Sequence, residues 1–215
     1  MYKKKPFFIV FEGIEGCGKS YQGKKLYNRF KKKGINTVLT REPGGTKSSE
    51  LIRNLILKDY FTKDSKEKFD KYTDTLLYLA ARNEHIKNKI KPALLKKKVV
   101  ICDRFIDSTL AYQVYGKKVE LNFIKNIHKK ILQGIKPNIV FVLKVSNQSS
   151  RKRLKKRKNK NRYDNFAQSF YSKAQNSFIR IAKNKKNYFI LDSSSNDSSL
   201  EHKIFGICKK YLNIK

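Results

Sequence analysis

The sequence predicts an α/β fold in which a five-stranded parallel sheet is covered by helices on both faces. Short runs of β-branched and aromatic residues alternate with longer segments of helical periodicity, the pattern of parallel strands joined by crossover helices. A glycine-rich segment follows the first apolar run, at the edge where open parallel sheets bind ligands. The 215 residues have the length of a single domain and contain no internal repeat, so we expect one domain over residues 1–215.

The predicted elements follow from apolar runs and helical periodicity, taken in chain order. The first strand, FFIVFE, is apolar up to its last residue, as expected for a strand buried on both faces. The next segment has apolar positions at Leu26, Tyr27 and Phe30, which predicts a helix that stops before Gly34. The strands are predicted at residues 7–12, 35–40, 99–103, 139–145 and 188–191. The helices are predicted near residues 19–32, 48–57, 71–91, 108–115, 121–133, 163–183 and 200–212.

Composition limits the class of protein. The chain has 51 Lys+Arg against 17 Asp+Glu, a balance that would suggest a nucleic-acid partner. Lysine is scattered over nearly every predicted helix, however, and no RNA-recognition or zinc-finger signature is present, so a solvated basic surface is favoured over dedicated nucleic-acid binding. No apolar run approaches the roughly 18 residues of a membrane span, and the N-terminal run is too short for a signal peptide. Three widely spaced cysteines suggest neither a disulfide framework nor a zinc site, so we expect a cytoplasmic protein.

The segment GIEGCGKS at residues 13–20 has the spacing of a phosphate-binding loop of the P-loop NTPase type. Its backbone N–H groups would surround phosphate oxygens at the start of a helix, and Lys19 would reach the terminal phosphates. The Ser20 hydroxyl would ligate Mg²⁺. Cys17 at this helix start is expected to favour the thiolate form. The predicted phosphate-binding residues are Gly13, Ile14, Glu15, Gly16, Cys17, Gly18, Lys19 and Ser20. The alternative is a glycine-rich turn that only links strand to helix.

Charged residues follow two further strands at the same edge of the predicted sheet. Asp103 ends the apolar run VVICD, which is the position of the carboxylate that lies near Mg²⁺ in P-loop enzymes. Arg41 and Arg104 also end strands there, and planar guanidinium groups suit a second phosphate. The alternatives are a helix N-terminal acid and surface salt bridges. The arrangement predicts a donor nucleotide and a phosphorylated acceptor.

Four blocks, FEGIEGCGKS, REPGGT, LYLAARNEH and DRFIDSTLAYQ, stand in this order along the chain. With these blocks, the sequence resembles the thymidylate kinase family over essentially its whole length. The resemblance implies transfer of the γ-phosphoryl group of ATP to dTMP with Mg²⁺, giving dTDP and ADP in dTTP biosynthesis, and a homodimer packed through helices. The alternatives are a kinase for another nucleoside monophosphate and a basic nucleic-acid-binding protein that carries a nucleotide loop.

The resemblance also implies roles for individual residues. Glu15 matches the carboxylate near the acceptor's 3′-hydroxyl and the Mg²⁺ water shell, and Arg104 matches the arginine that holds the dTMP phosphate. Tyr78 matches the aromatic residue that stacks on thymine, and Arg82 matches the arginine that bonds its O4. Tyr112 matches the tyrosine that crowds the sugar 2′ position. The implied dTMP-binding residues are Arg41, Pro43, Tyr78, Arg82, Arg104, Thr109, Tyr112 and Gln113. On the residues alone, Tyr78 and Arg82 are an i,i+4 pair of an amphipathic helix.

The segment RKRLKKRKNKNR corresponds to the place where the family keeps a lid over ATP, here about residues 147–162. Arg153, Arg157 and Arg162 fall at lid arginine positions, and Arg157 is the predicted catalytic arginine. Such an arginine would stabilise the charge on the transferring group. If the segment is instead a solvated charge run, its arginines have no role in catalysis.

Overall fold

The structure is a computed structural model, and it describes residues 5–58, 67–156, 168–195 and 197–214. The described strands form one five-stranded sheet in the order β2-β3-β1-β4-β5, and every pairing is parallel. The strands are β1 (Phe7–Glu12), β2 (Thr37–Arg41), β3 (Val99–Asp103), β4 (Ile139–Lys144) and β5 (Tyr188–Asp192). The predicted sheet is therefore confirmed, and only strand ends differ, by one or two residues.

Helices connect the strands and cover both faces of the sheet. They are α1 (Lys19–Lys32), α2 (Lys47–Leu57), α3 (Lys71–His85), α4 (Lys91–Leu95), α5 (Ile106–Thr109), α6 (Leu121–Ile131), α7 (Asn147–Lys155), α8 (Gln168–Ala182) and α9 (Ser199–Leu212). All of β1 and the first five residues of β4 are buried, so both faces of the central strands are covered. Among the described residues, no helix is both long and apolar enough to cross a membrane.

Aromatic side chains of the core hold the turn after β3 against the sheet. Phe105 is 1% exposed, and its ring packs edge-on against Phe8 of β1 with centroids 5.0 Å apart. Phe11 of β1 packs against Phe141 of β4 at 5.2 Å. Because Phe105 directly follows Arg104, this packing fixes the segment that delivers the arginine to the sheet edge.

The helices differ from the prediction in three places. The predicted helix at residues 71–91 is α3 followed by a π-helical segment, Ile86–Ile90, and the helix at 108–115 is the short α5 followed by a π-helical segment, Leu110–Gly116. The second π-helical segment carries Tyr112 and Gln113, as is common for π-helical turns at functional sites. Helix α7 was not predicted as a helix at all. It is the described part of the predicted lid, whose later residues lie outside the described ranges.

Candidate active site

A cavity of about 290 Å³ opens at the carboxyl ends of β1, β2 and β3. Every residue predicted to bind the acceptor or the metal lines it, and so do residues that the sequence did not single out. The lining residues are Glu15, Lys19, Ser20, Arg41, Glu42, Pro43, Arg53, Leu57, Tyr78, Arg82, Asp103, Arg104, Ser108, Thr109, Tyr112 and Gln113. The predicted loop glycines and Arg153 are not part of this lining.

The phosphate loop needs its glycines for two separate reasons. Gly13, Gly16 and Gly18 have φ angles of 138°, 73° and 89°, which side chains rarely allow. Space is also lacking, because a Cβ on Gly13 would lie 2.5 Å from the Leu143 carbonyl oxygen of β4. A Cβ on Gly16 would lie 2.8 Å from the backbone oxygen of Ser150 in α7. The loop is therefore packed between β4 and the helix that begins the predicted lid.

Lys19 lies inside this loop. Its ammonium group donates to the carbonyl oxygens of Gly13 at 3.0 Å and Ile14 at 2.8 Å, and its side chain is buried. The charge is thus held at the base of the cavity, beside the position that the motif assigns to terminal phosphates.

The predicted thiolate character of Cys17 is wrong. Burial raises the pKa of the Cys17 thiol, although Lys19 and Arg104 act in the opposite direction. The side chain is fully buried, and its sulfur lies 3.6 Å from the Lys19 ammonium nitrogen. The helix start alone therefore does not decide the protonation state, because desolvation disfavours the charged thiolate.

Ser20 and Asp103 meet at the floor of the cavity. The Ser20 hydroxyl donates a hydrogen bond to Asp103 Oδ2. A hydroxyl beside a carboxylate suits Mg²⁺, which takes few protein ligands and completes its shell with water and phosphate oxygens. The described residues contain no group of three or more His, Cys, Asp or Glu that could hold a metal ion by protein ligands alone. These two residues fit the predicted metal position.

Arg104, Glu15 and Tyr112 form a connected group above the phosphate loop. Arg104 Nη2 donates to Glu15 Oε1 at 2.7 Å, and the Tyr112 hydroxyl donates to Glu15 Oε2 at 2.6 Å. Burial would raise the pKa of the Glu15 carboxyl, but Arg104 and Lys19 outweigh it and hold the pKa below its usual range. Glu15 is therefore ionised at neutral pH. The Arg104 guanidinium also lies 5.2 Å from the centroid of the Tyr112 ring.

Arg82 lies at the other end of the cavity, within a buried network. Nε donates to Glu42 at 2.7 Å, Nη1 donates to the Thr109 hydroxyl at 2.8 Å, and Nη2 donates to the Phe105 carbonyl at 2.8 Å. Nη1 also lies 2.8 Å from Nε2 of His128. Burial and Arg82 lower the pKa of His128 to about 3, so the ring is neutral and Nε2 accepts the hydrogen bond. The described residues thus satisfy four of the five N–H donors of the guanidinium.

Gln113 supplies a second free donor at this end. Its side-chain nitrogen is buried and has no hydrogen-bond partner among the described residues. Tyr78, half-buried on α3 one turn before Arg82, lines the same part of the wall. Tyr78, Arg82 and Gln113 therefore line the same cavity, and the amide nitrogen of Gln113 is a buried donor without a partner among the described residues.

Arg41 and Arg53 occupy the wall formed by the end of β2 and by α2. Arg41 Nη2 lies 3.0 and 3.1 Å from the two carboxylate oxygens of Glu50. Arg53 Nη1 donates to the Pro43 carbonyl oxygen at 2.6 Å, and burial together with Arg41 lowers its pKa. Arg53 was not predicted as a site residue. Its spacing of four residues from Leu57, which also lines the cavity, is the only sequence signal that could have indicated it.

Glu42 and Ser108 were also missed. Glu42 is the acid of the block REPGGT, and its carboxylate pairs with Arg82 and lies 3.1 Å from Nδ1 of the buried His85. Ser108 stands in the block DRFIDSTLAYQ, and its hydroxyl accepts from Arg104 Nη1 at 3.0 Å. Both lie within the blocks of the family resemblance. The partners of Glu42 lie 40 and 43 positions away along the chain, whereas Ser108 lies only four positions from Arg104.

The described part of the predicted lid contacts the phosphate loop directly. On α7, the Ser150 hydroxyl donates to the Glu15 carbonyl at 2.9 Å. Arg153 Nη1 donates to the Gly16 carbonyl at 3.2 Å, and Nη2 donates to the Ser193 carbonyl at 2.7 Å. The predicted role of Arg153 in ATP binding stays a prediction. Arg157 and Arg162 lie outside the described residues.

Comparison with known proteins decides the family. The family model described as thymidylate kinase matches residues 11–204. A thymidylate kinase from Wolbachia sp. subsp. Brugia malayi is 45% identical over 181 residues, which cover 83% of this chain and 82% of that protein. The chain belongs to the thymidylate kinase family. A family member from Sulfurihydrogenibium sp. is 37% identical over 198 residues, covering 92% and 94% of the two chains.

The fold agrees with this membership of the thymidylate kinase family. The crystal structure of the thymidylate kinase from Ehrlichia chaffeensis matches with a TM-score of 0.73 and 30% sequence identity. The match covers 95% of this chain and 99% of the other. The predicted family and fold class are therefore confirmed.

Proposed function

We propose that this chain transfers the γ-phosphoryl group of ATP to dTMP in the described cavity, giving dTDP and ADP. One observation carries the choice of acceptor: the buried amide nitrogen of Gln113 has no partner among the described residues, in a cavity that Tyr78 also lines. The contacts of Arg82 in the same lining account for four of its five N–H groups, which leaves one for a ligand. Buried donors without partners are costly, so this end of the cavity is complementary to a ring that presents carbonyl oxygens.

This donor pattern distinguishes pyrimidine bases. Thymine carries a carbonyl oxygen at C4, which can accept the fifth N–H of Arg82, whereas cytosine carries an amino group there. The other four N–H groups of Arg82 are held by the protein, so the guanidinium cannot turn to accommodate a donor. An amino group at C4 would face the N–H of Arg82 and leave that donor unpaired, and sites of this kind discriminate strongly. The amide of Gln113 can donate to a second base oxygen and accept from N3–H.

The phosphate and sugar of dTMP would lie toward the opposite end. Arg104 is held there by Glu15 and Ser108, with its cation at the mouth of the phosphate loop. A positioned guanidinium suits the non-transferred phosphate, while the ionised Glu15 suits the sugar hydroxyl and metal-bound water. The Tyr112 ring lies between these groups and would border C2′, in agreement with the predicted preference for deoxyribose.

The donor side uses the phosphate loop. Lys19 would stabilise the charge that develops on the transferring group, and Ser20 with Asp103 would hold Mg²⁺. Bound Mg²⁺ supplies Lewis-acid neutralisation of the phosphate oxygens. Arg157 is the predicted lid arginine that contacts the ATP phosphates, and Arg153 and Arg162 are the next candidates. Replacing the arginine that makes this contact by lysine should lower kcat, because lysine cannot make the planar bidentate contact of a guanidinium group. The predicted cytoplasmic location likewise stays a prediction.

A coupled assay with ATP, Mg²⁺ and one acceptor at a time tests the proposal. We expect turnover with dTMP to exceed turnover with UMP, CMP and AMP, and Lys19→Ala to abolish it while circular dichroism stays unchanged. Equal turnover with CMP would refute the assignment of the base donors and favour a kinase for another nucleoside monophosphate. Strong, salt-dependent nucleic-acid binding without nucleotide turnover would instead favour the nucleic-acid-binding alternative.

We also propose that the protein is a homodimer packed through helices, as the family resemblance implies, and that the second copy covers exposed leucines of α2, α3 and α6. Leu51 and Leu55 of α2 are 70% and 43% exposed, and Leu76 of α3 and Leu121 of α6 are 47% and 38% exposed. Helix α3 packs against both α2 and α6, and exposed leucines on neighbouring helices suit an interface. Sedimentation equilibrium of Leu51→Asn should show dissociation, whereas Leu95→Asn, at an equally exposed residue of α4, should not. A monomeric wild-type protein would refute the homodimer.

A further inference from the structure

Glu12 is a buried acid that the proposed function does not use. It is the last residue of β1, and its side chain is fully buried. Two of the four arginines that line the cavity pair with other carboxylates, Arg104 with Glu15 and Arg82 with Glu42. A buried acid without a salt bridge needs hydrogen-bond partners.

Among the described residues, the three hydrogen-bond contacts of Glu12 all go to the turn after β3. Oε1 accepts from the backbone N–H of Phe105 at 2.8 Å and from that of Ser108 at 3.2 Å. Oε2 lies 2.6 Å from the Ser108 hydroxyl oxygen, within hydrogen-bond distance. These N–H groups stand at the start of α5, which has no side-chain cap of its own. Glu12 therefore supplies from β1 the acceptors that a capping residue would otherwise provide.

This turn holds Arg104 in an unfavourable backbone conformation. Arg104 has a φ of 72°, in the left-handed region that few residues other than glycine adopt. Its backbone N–H donates to the Phe11 carbonyl at 2.8 Å, directly beside Glu12. Its Nη1 donates to the same Ser108 hydroxyl that contacts Glu12 and to the Gly13 carbonyl, both at 3.0 Å. Glu12 thus contacts the backbone N–H of Phe105, the residue that follows Arg104, and also the Ser108 hydroxyl, which accepts from the Arg104 side chain.

We propose that Glu12 is a positioning residue for the acceptor's phosphate: through Ser108 and the first turn of α5 it fixes the Arg104 guanidinium. The inference rests on the proposed function, which assigns Arg104 to the dTMP phosphate. Glu42 is the matched case at the other end of the cavity, because this second buried carboxylate holds Arg82, which faces the base.

Two ligands separate these roles. Thymidine lacks the phosphate of dTMP but keeps the base, so a defect in Arg104 weakens dTMP binding and spares thymidine. A defect in Arg82 weakens both. Isothermal titration should compare the Kd of dTMP and of thymidine for wild type, Glu12→Leu, Glu12→Gln, Ser108→Ala and Glu42→Gln.

We expect Glu12→Leu, which removes all three contacts, to raise the Kd of dTMP by about tenfold or more. The Kd of thymidine should stay within about twofold of wild type. Glu12→Gln keeps an oxygen for the two N–H groups and places an NH₂ group at Ser108, so it should restore dTMP binding. Glu42→Gln should weaken both ligands by a similar factor. In steady-state assays, Glu12→Leu should raise the KM for dTMP and leave the KM for ATP unchanged.

Ser108→Ala provides the same test if Glu12→Leu does not fold, because it removes only the bridging hydroxyl. Equal weakening of dTMP and thymidine in these variants would overturn the inference and leave Glu12 a purely structural residue. Unchanged dTMP affinity would also overturn it, and so would a Glu12→Gln variant as defective as Glu12→Leu. A wild-type protein that neither binds nor phosphorylates dTMP would refute the proposed function itself, whereas the outcomes above concern Glu12 alone.

Discussion

Replacing Gln113 by leucine should make the protein more stable and less active. The Gln113 side chain is 2% exposed, and its amide nitrogen is buried without a hydrogen-bond partner among the described residues. Leucine fills a similar volume and has no polar group to desolvate. In the protein without substrate the substitution therefore removes a cost, whereas with dTMP bound it removes a contact to the base.

The magnitude follows from the price of a buried, unpaired polar group, about 1–3 kcal/mol. The free energy of unfolding should rise by that amount, which for a domain of this size corresponds to an increase in Tm of roughly 2–12 °C. In the dTMP complex the variant loses the same hydrogen bond and leaves a base oxygen unpaired. We therefore expect kcat/KM for dTMP to fall by roughly 5- to 150-fold.

Thermal unfolding without ligand and steady-state kinetics with dTMP measure the two effects. Gln22→Leu is the matched control, since Gln22 of α1 is also buried with an unpaired amide oxygen but does not line the cavity. It should raise Tm and leave kcat/KM for dTMP unchanged. A Gln113→Leu variant with lowered Tm, or with wild-type kcat/KM, would show that the Gln113 amide is not an unpaired donor that hydrogen-bonds the base of dTMP.

Three other predictions concern single residues. Tyr112→Ala should raise kcat/KM for the ribose form of the acceptor relative to dTMP. It should also lower the free energy of unfolding by about 3–5 kcal/mol, because the ring packs against Phe170 and Phe178. Tyr112→Phe should keep the sugar preference, and an unchanged kcat/KM ratio in the alanine variant would assign Tyr112 to packing alone. Thiol reagents should modify Cys17 slowly in the native state and rapidly in urea, since burial raises its pKa, and rapid native labelling that Cys17→Ala abolishes would contradict this. Burial and the nearby Asp107 raise the pKa of Glu12 to about 8, so between about pH 4.3 and pH 8 the native state holds a proton that the unfolded state has lost. The free energy of unfolding should then fall as pH rises through this window, by at most about 1.4 kcal/mol per pH unit, and urea titrations should show a flatter profile for Glu12→Gln; parallel profiles would refute the raised pKa.

The sheet and most of the cavity could be predicted because their signals are local. A buried parallel strand such as FFIVFE is a continuous apolar run, and the residue that follows each strand must lie at the same edge of the sheet. That geometry is enough to bring Asp103 to Ser20 and Arg104 to Glu15. The family blocks then indicate Tyr78, Arg82 and Gln113, whose spacing alone predicts only an amphipathic helix.

The supporting residues could not be predicted in this way. His128 contacts Arg82 across 46 positions of sequence, and Glu12 contacts Ser108 across 96. Neither residue has a local pattern that differs from an ordinary polar position of a helix or the end of a strand. The prediction for Cys17 fails for a related reason. A helix start predicts a low pKa for the thiol, and only the three-dimensional packing reveals the desolvation that raises this pKa.

The cavity is close to charge balance and its cations are mostly arginines, whereas the chain as a whole carries a large excess of lysine. The chain carries a net charge of +34, while the cavity lining holds five cations (Lys19, Arg41, Arg53, Arg82 and Arg104) and three anions (Glu15, Glu42 and Asp103), a net charge of +2. Four of those five cations are arginines, and the described structure gives hydrogen-bond acceptors to each of them. A general excess of lysine attracts any nucleotide and is screened by salt. Recognition of one base and one phosphate requires guanidinium groups held in fixed directions. In this cavity the buried Glu42 provides that fixation for Arg82, and the half-buried Glu15 provides it for Arg104.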